Sequence, residues 1–290
     1  MLVRLGYAQG ADTTSLLLWR MLISLPCFAL IAWWYARRDG ALAREDRLRL
    51  LMLGVLGYHV ASWLDFKGLT YIDAALERVV LFLYPTVVVA IAIIRRQRSV
   101  DRPLLAALGA TYLGIMLTWG DRLHFGQPAH ILLGTALVAA SAVAFAAHLV
   151  LVEGILQRIG GMRSMAVAMV GACITVIVHG IWMRPDALQS PTAATLHFGI
   201  ALGIFSTVIP VLLAAIALQH LGAARAAVLG TVAPSLTALL GWVLLDERLG
   251  LLGWLGIAVT MGGAVLLSRS RPQPLATPPA PPPPTGTSTT

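Results

Sequence analysis

The sequence predicts an all-α polytopic membrane protein that crosses the bilayer nine times, and three observations predict it. Hydrophobic residues make up 58% of the 290-residue chain and charged residues only 12%, where a soluble domain carries about 25% charged residues. Mean hydropathy is +0.81. Nine segments each hold the roughly 17–25 mostly apolar residues that a helix needs to span hydrocarbon. Between them, loops crowded with arginine alternate with loops that hold a single basic residue.

The nine segments are 14–35, 50–69, 74–94, 103–119, 130–152, 164–183, 195–218, 224–245 and 251–267. Their connections are short, so consecutive helices form antiparallel hairpins. The crowded loops hold Arg37, Arg38, Arg44, Arg47 and Arg49, then Arg95, Arg96, Arg98 and Arg102, then Arg158 and Arg163, Arg225, and Arg269 with Arg271. The sparse loops hold Lys67, Arg122, Arg184 and Arg248. Cytoplasmic loops collect Lys and Arg, which assigns the crowded side and the C-terminus to the cytoplasm of a bacterial-type plasma (inner) membrane. The tail at 270–290, all proline at 281–284, has too little apolar surface to order itself by burial and is predicted to be disordered. The first ten residues lack the basic-then-apolar layout of a secretory signal.

The formal net charge of +8 does not form one basic patch, which removes nucleic acid as a partner. Cys27 and Cys173 each stand alone inside apolar runs and read as small buried apolar residues. No phosphate-cradling glycine loop, metal-ligand spacing or nucleophile elbow occurs. The sequence therefore predicts no catalysis, no metal and no cofactor.

An internal repeat runs through the chain. Residues 70–85 align with 219–234 at an offset of 149, which also lays 14–35 on 163–184, 50–69 on 199–218 and Gly114 on Gly263. Shifted back by the same offset, the segment at 130–152 falls before Met1. The second half therefore has five helices and the first four. An odd number of helices per half makes an inverted repeat, a common architecture of secondary transporters. The expectation is two inverted five-helix repeats with the opening helix of the first missing, so that an apolar segment of about 20 residues should precede Met1. The domains are a first repeat at 1–122, a second at 123–269 and the tail at 270–290.

The stretches AALERVVLFLYP at 74–85, AARAAVLGTVAP at 223–234, LLDER at 244–248 and the glycine-rich helix at 253–263 resemble the EamA-type domain of the drug/metabolite transporter superfamily. The resemblance covers nearly all of residues 1–268. It implies ten helices in two inverted repeats around a substrate cavity near the bilayer centre. The helices at 50–69, 74–94, 130–152, 195–218 and 224–245 would line it.

Four ionisable residues of the first half lie inside spans: Arg20, Asp65, Glu77 and Arg78. Charge at the centre of a membrane helix costs about 2.5–3.5 kcal/mol per residue on insertion scales, so it marks function or pairing. All four fall in the outer third of the membrane on three helices. Adjacent helical residues do not face each other, so Arg20–Glu77 and Asp65–Arg78 are the pairs expected by sign. The 149 offset places Met169, Ala214, Ala226 and Ala227 at the matching positions, so the polarity belongs to one half only. The two readings are a gate or substrate-binding cluster and a structural ion-pair network with snorkelling arginines.

His59, near Ser62 and Trp63, could relay protons or bind substrate, and Tyr84 joins the substrate-binding or gating set. His148 and His179 fall near span ends and read as interfacial. Pro85 and Pro234 occupy matching mid-helix positions, where each removes a backbone hydrogen bond and permits a hinge. Trp33, Trp34, Trp119, Trp182 and Trp242 read as interface anchors.

Together these features predict a secondary transporter that moves a small metabolite or drug-like molecule by alternating access, in the export direction. The alternative is a membrane binding or assembly protein that does not transport. An intramembrane enzyme would have to draw its acid and base from Asp65 and Glu77. The expected partners are a small-molecule substrate and the lipid bilayer, with proton coupling and a homodimer left open.

Overall fold

The computed structural model describes residues 2–95, 102–123, 128–189, 191–214, 216 and 250–269, and among these every regular element is helical. A short α1 (Leu2–Ala8) precedes α2 (Thr13–Asp39). One continuous helical stretch then runs through α3 (Arg44–Gly54), a π-helical segment (Val55–Val60) and α4 (Ala61–Gly68). There follow α5 (Ala74–Leu81), α6 (Leu83–Ile94), α7 (Arg102–Leu123), α8 (Pro128–Ile159), α9 (Gly161–Met183) and a single turn, α10 (Asp186–Gln189). The chain continues in α11 (Ala193–Gly203), which passes into a second π-helical segment (Ile204–Val208), and in α12 (Leu251–Arg269).

Helix starts are written in the sequence. Asp12 accepts from the Ser15 N–H, Asp73 from the Leu76 N–H and Thr192 from the Thr195 N–H, at 2.8–3.1 Å. Each satisfies a backbone donor that has no partner within its own helix. Gly40, with φ of +82°, closes α2 in a backbone conformation that residues with a Cβ rarely adopt.

Among the described residues, six stretches are long and apolar enough to cross a membrane: Thr13–Asp39, Ala74–Ile94, Leu104–Asp121, Ala129–Ile159, Gly161–Met183 and Ala193–Ala214. The chain is thus a multi-pass α-helical membrane protein, but this count differs from the nine spans expected. The expected span at 50–69 is helical, yet its helix opens on Arg44, Glu45, Asp46, Arg47 and Arg49 and closes on Asp65 and Lys67. Only the middle is apolar. The last expected span is α12, which is helical throughout and apolar from Leu251 to Leu267. The expected span at 224–245, with Pro234 and Trp242, lies outside the described residues, as does the tail.

The bundle wears its apolar side chains outward, with Met52, Ile94, Met116 and Phe205 all more than 60% exposed. A soluble surface would not carry so many. Trp33, Trp34 and Trp182 are exposed, and Arg37 and Arg38 stand over the rings of Trp33 and Trp34 at 5.1 and 4.7 Å. An amphipathic ring beside a cation suits a membrane–water boundary. Cys27 lies on this outer surface, whereas Cys173 is buried.

Inside, α2 packs antiparallel on α9, with Leu18 against Gly180 and Met21 against Cys173. α7 packs antiparallel on α12, and there the contact is reciprocal. Gly114 lies against Thr260, and Gly263 lies against Thr111. A methyl group at either glycine would overlap the facing threonine hydroxyl, so glycine is what lets the two backbones approach. Thr260 and Gly263 stand 149 residues after Thr111 and Gly114. The same spacing separates the starts of α3 and α11, those of α7 and α12, and those of the two π-helical segments.

Candidate functional site

At the end of the bundle where α2 begins and α4 stops, a cavity of about 420 Å³ opens between Arg4, Tyr7, Asp12, Thr13, Lys67 and Thr70. The Tyr7 hydroxyl donates to the Phe66 carbonyl at 2.7 Å, so its 3.0 Å contact with Thr13 is one in which Thr13 donates. Beneath the cavity lies a slot of about 10 Å³ lined by Thr14, His59, Trp63 and His179, the room one water requires. His59 Nε2 and His179 Nδ1 are 3.0 Å apart, so one ring donates and the other accepts. The Trp63 ring stands 6.3 Å from His179. His59 and Trp63 therefore share a site, as their spacing on one helix suggests. His179, half-buried near the end of α9, is the partner of His59.

The four ionisable residues come together: Asp65 and Arg78 act on each other electrostatically, as expected from sign, whereas the expected Arg20–Glu77 pair does not form. Glu77, 1% exposed at its side chain, meets its sequence neighbour Arg78 at 3.4 Å. The helical argument against adjacent partners does not hold at this position, where the two charged ends meet directly. The Asp65 carboxyl lies near that of Glu77, and both guanidinium groups lie close enough to act on Asp65 electrostatically. Arg20 does not pair with Glu77. Its Nε donates to Thr207 Oγ1 at 2.7 Å, and its guanidinium lies 5.2 Å over the Phe66 ring. Asp65 Oδ1, Glu77 Oε1 and Arg78 Nε are buried without a hydrogen-bond partner. Unsatisfied buried polar atoms are costly, so this cluster carries an energetic cost that packing alone does not require.

Tyr84 faces an aromatic group: its ring is 5.5 Å from Phe145, which stacks on His148 at 6.2 Å. Tyr58 closes the group, 5.2 Å from His148. The interfacial reading of His148 is corrected. It is fully buried, because α8 runs on to Ile159 and so carries residue 148 well inside the helix. Its Nδ1 donates to the Leu53 carbonyl at 2.8 Å. Pro85 sits just after the break between α5 and α6 at Phe82, as expected where proline removes a backbone donor. Sequence reasoning missed Tyr58, Phe145, His179 and Thr207. Thr207 and Tyr58 carry a signal, since the repeat offset sets one opposite the other on two helices expected to line a cavity.

The family model described as "EamA-like transporter family" matches residues 1–120 and 132–269. The chain belongs to the EamA-like transporter family. It is a membrane transporter, and both matched blocks contribute to the site, the first with Arg20, Asp65, Glu77 and Arg78 and the second with Thr207 and His179. Among proteins similar to this EamA-like chain is "Uncharacterized transporter YcbK" of Bacillus subtilis. It is 29% identical over 263 residues, covering 88% of this chain and 83% of YcbK. "Threonine/homoserine exporter RhtA" of Salmonella typhimurium is 28% identical over 242 residues, covering 80% of this chain and 75% of RhtA. A solved crystal structure superimposes with a TM-score of 0.62 at 18% identity, over 91% of this chain and 90% of the other. That likeness concerns the fold alone.

Proposed function

We propose that this EamA-like chain is a secondary transporter of the bacterial inner membrane that exports a small polar molecule by alternating access. The observation that carries the proposal is the cluster of Arg20, Asp65, Glu77 and Arg78, gathered from three helices with buried atoms left unpartnered. Intramembrane charge of this kind faces a substrate or ion pathway more often than lipid. The matching positions of the second half are Met169, Ala214, Ala226 and Ala227, so the architecture itself does not call for these charges. Similarity to a protein named as an exporter supports the outward direction.

Two inverted repeats, at 1–122 and 123–269, supply the alternation. The 149-residue spacing of helix starts and π-helical segments supports this reading, and so does the reciprocal antiparallel contact of α7 with α12. The break at Phe82 beside Pro85 gives the first repeat a bending point, and Pro234 is its counterpart. The neighbouring carboxyl groups of Asp65 and Glu77, each with a buried oxygen that has no hydrogen-bond partner, offer a place for a coupled proton. The arginine-rich loops put the cavity end outside and the C-terminus in the cytoplasm.

The test is metabolite release. Cells expressing the chain should accumulate at least one small polar compound in the medium faster than cells with an empty vector. An unchanged medium, with the protein present in the membrane, would favour the non-transporting binding or assembly role.

A further inference from the structure

Arg20 is held by two contacts, and together they leave one edge of its guanidinium unengaged. Nε donates to Thr207 Oγ1, whose own proton is committed to the Leu202 carbonyl at 3.0 Å. The threonine oxygen can therefore only accept from Arg20, which fixes the direction of the side chain. Phe66 covers one face of the group at 5.2 Å. The Nη1–Nη2 edge donates no hydrogen bond to any described residue, while Arg20 keeps 8% of its surface accessible. A guanidinium fork is a planar pair of donors matched to the two oxygens of a carboxylate.

Charge balance points the same way. Glu77 meets Arg78 at 3.4 Å, whereas Arg20 forms no ion pair with any described residue and is held through Thr207 instead. The sequence has no Asp or Glu between Asp186 and Asp246, and none between Asp121 and Glu153. Neither stretch supplies an acidic residue to pair with Arg20. Arg4 and Lys67 outnumber Asp12 around the cavity, an excess of positive charge that draws anions.

We propose that the Arg20 fork receives the carboxylate of the transported molecule, with Thr207 and Phe66 as positioning residues. The substrate class is then a small carboxylate-bearing compound. This rests on the transport reading of the same cluster.

The experiment uses the purified full chain and thermal stabilisation by ligand. The probes are the proteinogenic L-amino acids, lactate and pyruvate, each beside its methyl ester, which keeps the shape and removes the charge. At least one acid should stabilise the protein at a concentration about tenfold or more below that of its ester, as befits a charge-assisted bidentate contact. Arg20→Gln should abolish the preference for the acid. Arg20→Lys, a point charge without the fork, should weaken it about tenfold. Thr207→Val should weaken it while Thr207→Ser retains it, and this pair decides the matter if the Arg20 variants do not fold. Equal stabilisation by acid and ester, no stabilisation by any acid, or a preference that survives Arg20→Gln would each overturn the proposal. Release of the stabilising acid by whole cells is measured separately. Binding with acid preference but no release leaves the carboxylate seat standing and removes transport, and release of ester and acid alike does the reverse.

Discussion

His148 on α8 donates through Nδ1 to the carbonyl of Leu53 at 2.8 Å, at the residue before α3 begins to widen into its π-helical segment. A π turn shifts the backbone partners by one residue, so the carbonyls at its edge need donors from elsewhere. His148 supplies one, and Ser141 donates to the Ala61 carbonyl at 2.8 Å on the far side. In the second half, the Leu202 carbonyl takes a hydrogen bond from Thr207, and that of Gly203 takes one from Ser24 at 3.2 Å. Leu53 and Leu202 stand 149 residues apart. The two π-helical segments are thus stabilised by side-chain donors at the same register.

His148→Ala should therefore lower thermal stability by more than a surface change does, since a buried carbonyl loses its donor at a cost of about 1–3 kcal/mol. His148→Asn keeps a donor at the same reach and should recover part of the loss. Thermal unfolding in detergent measures both, and equal midpoints for Ala and Asn would remove the hydrogen bond from the account.

The contact of Glu77 with Arg78 makes a second prediction. Glu77→Gln and Arg78→Gln should be non-additive, with a coupling of about 1–2 kcal/mol, as is usual for residues in contact. Glu77→Gln and Arg20→Gln should come closer to additive, because Arg20 bonds Thr207 instead. A double-mutant cycle on unfolding midpoints reads both. Stronger coupling of Glu77 to Arg20 than to Arg78 would contradict the structure.

Close packing is tested at Gly54, where an added methyl group would overlap the Ala168 carbonyl of α9. Backbone cannot yield as a side-chain tip can, so Gly54→Ala should cost about 1–3 kcal/mol through overpacking. Gly109, with open space around its Cα, is the control. Gly109→Ala should be neutral or slightly stabilising, given the helix preference for alanine.

Much of this architecture is legible in residue order, and the physical reasons divide it. Hydropathy finds helices because lipid demands a fixed apolar length, and the caps Asp12, Asp73 and Thr192 fix where three of them start. The offset of 149, read from residue types, recurs in the spacing of helix starts and π-helical segments. The charged cluster was legible as a set, since Arg20, Asp65, Glu77 and Arg78 stand out against apolar spans. Its pairing was legible only in part, because Arg20 is held by a partner, Thr207, 187 residues away. The π-helical segments were invisible, since no residue pattern announces a one-residue widening. They in turn decide where Thr207 and Tyr58 point.

The proposed orientation rests on the arginine-rich loops. Lys67→Cys, at the cavity, should react with a membrane-impermeant maleimide added to intact spheroplasts, and Arg47→Cys should react only after lysis. Labelling in the opposite sense would invert the proposed topology and with it the placement of the cavity outside.

The most direct test of the central claim, that the charged cluster lies on the path of an exporter, is mass spectrometry of the medium around expressing cells. Wild type is compared with Glu77→Gln and Asp65→Asn at matched abundance in the membrane. Both variants should insert normally and lose release of the exported compound, since each removes a carboxyl group from the pair that meets Arg78 and Arg20. Release at the wild-type rate by Glu77→Gln would take the cluster off the path and contradict the account.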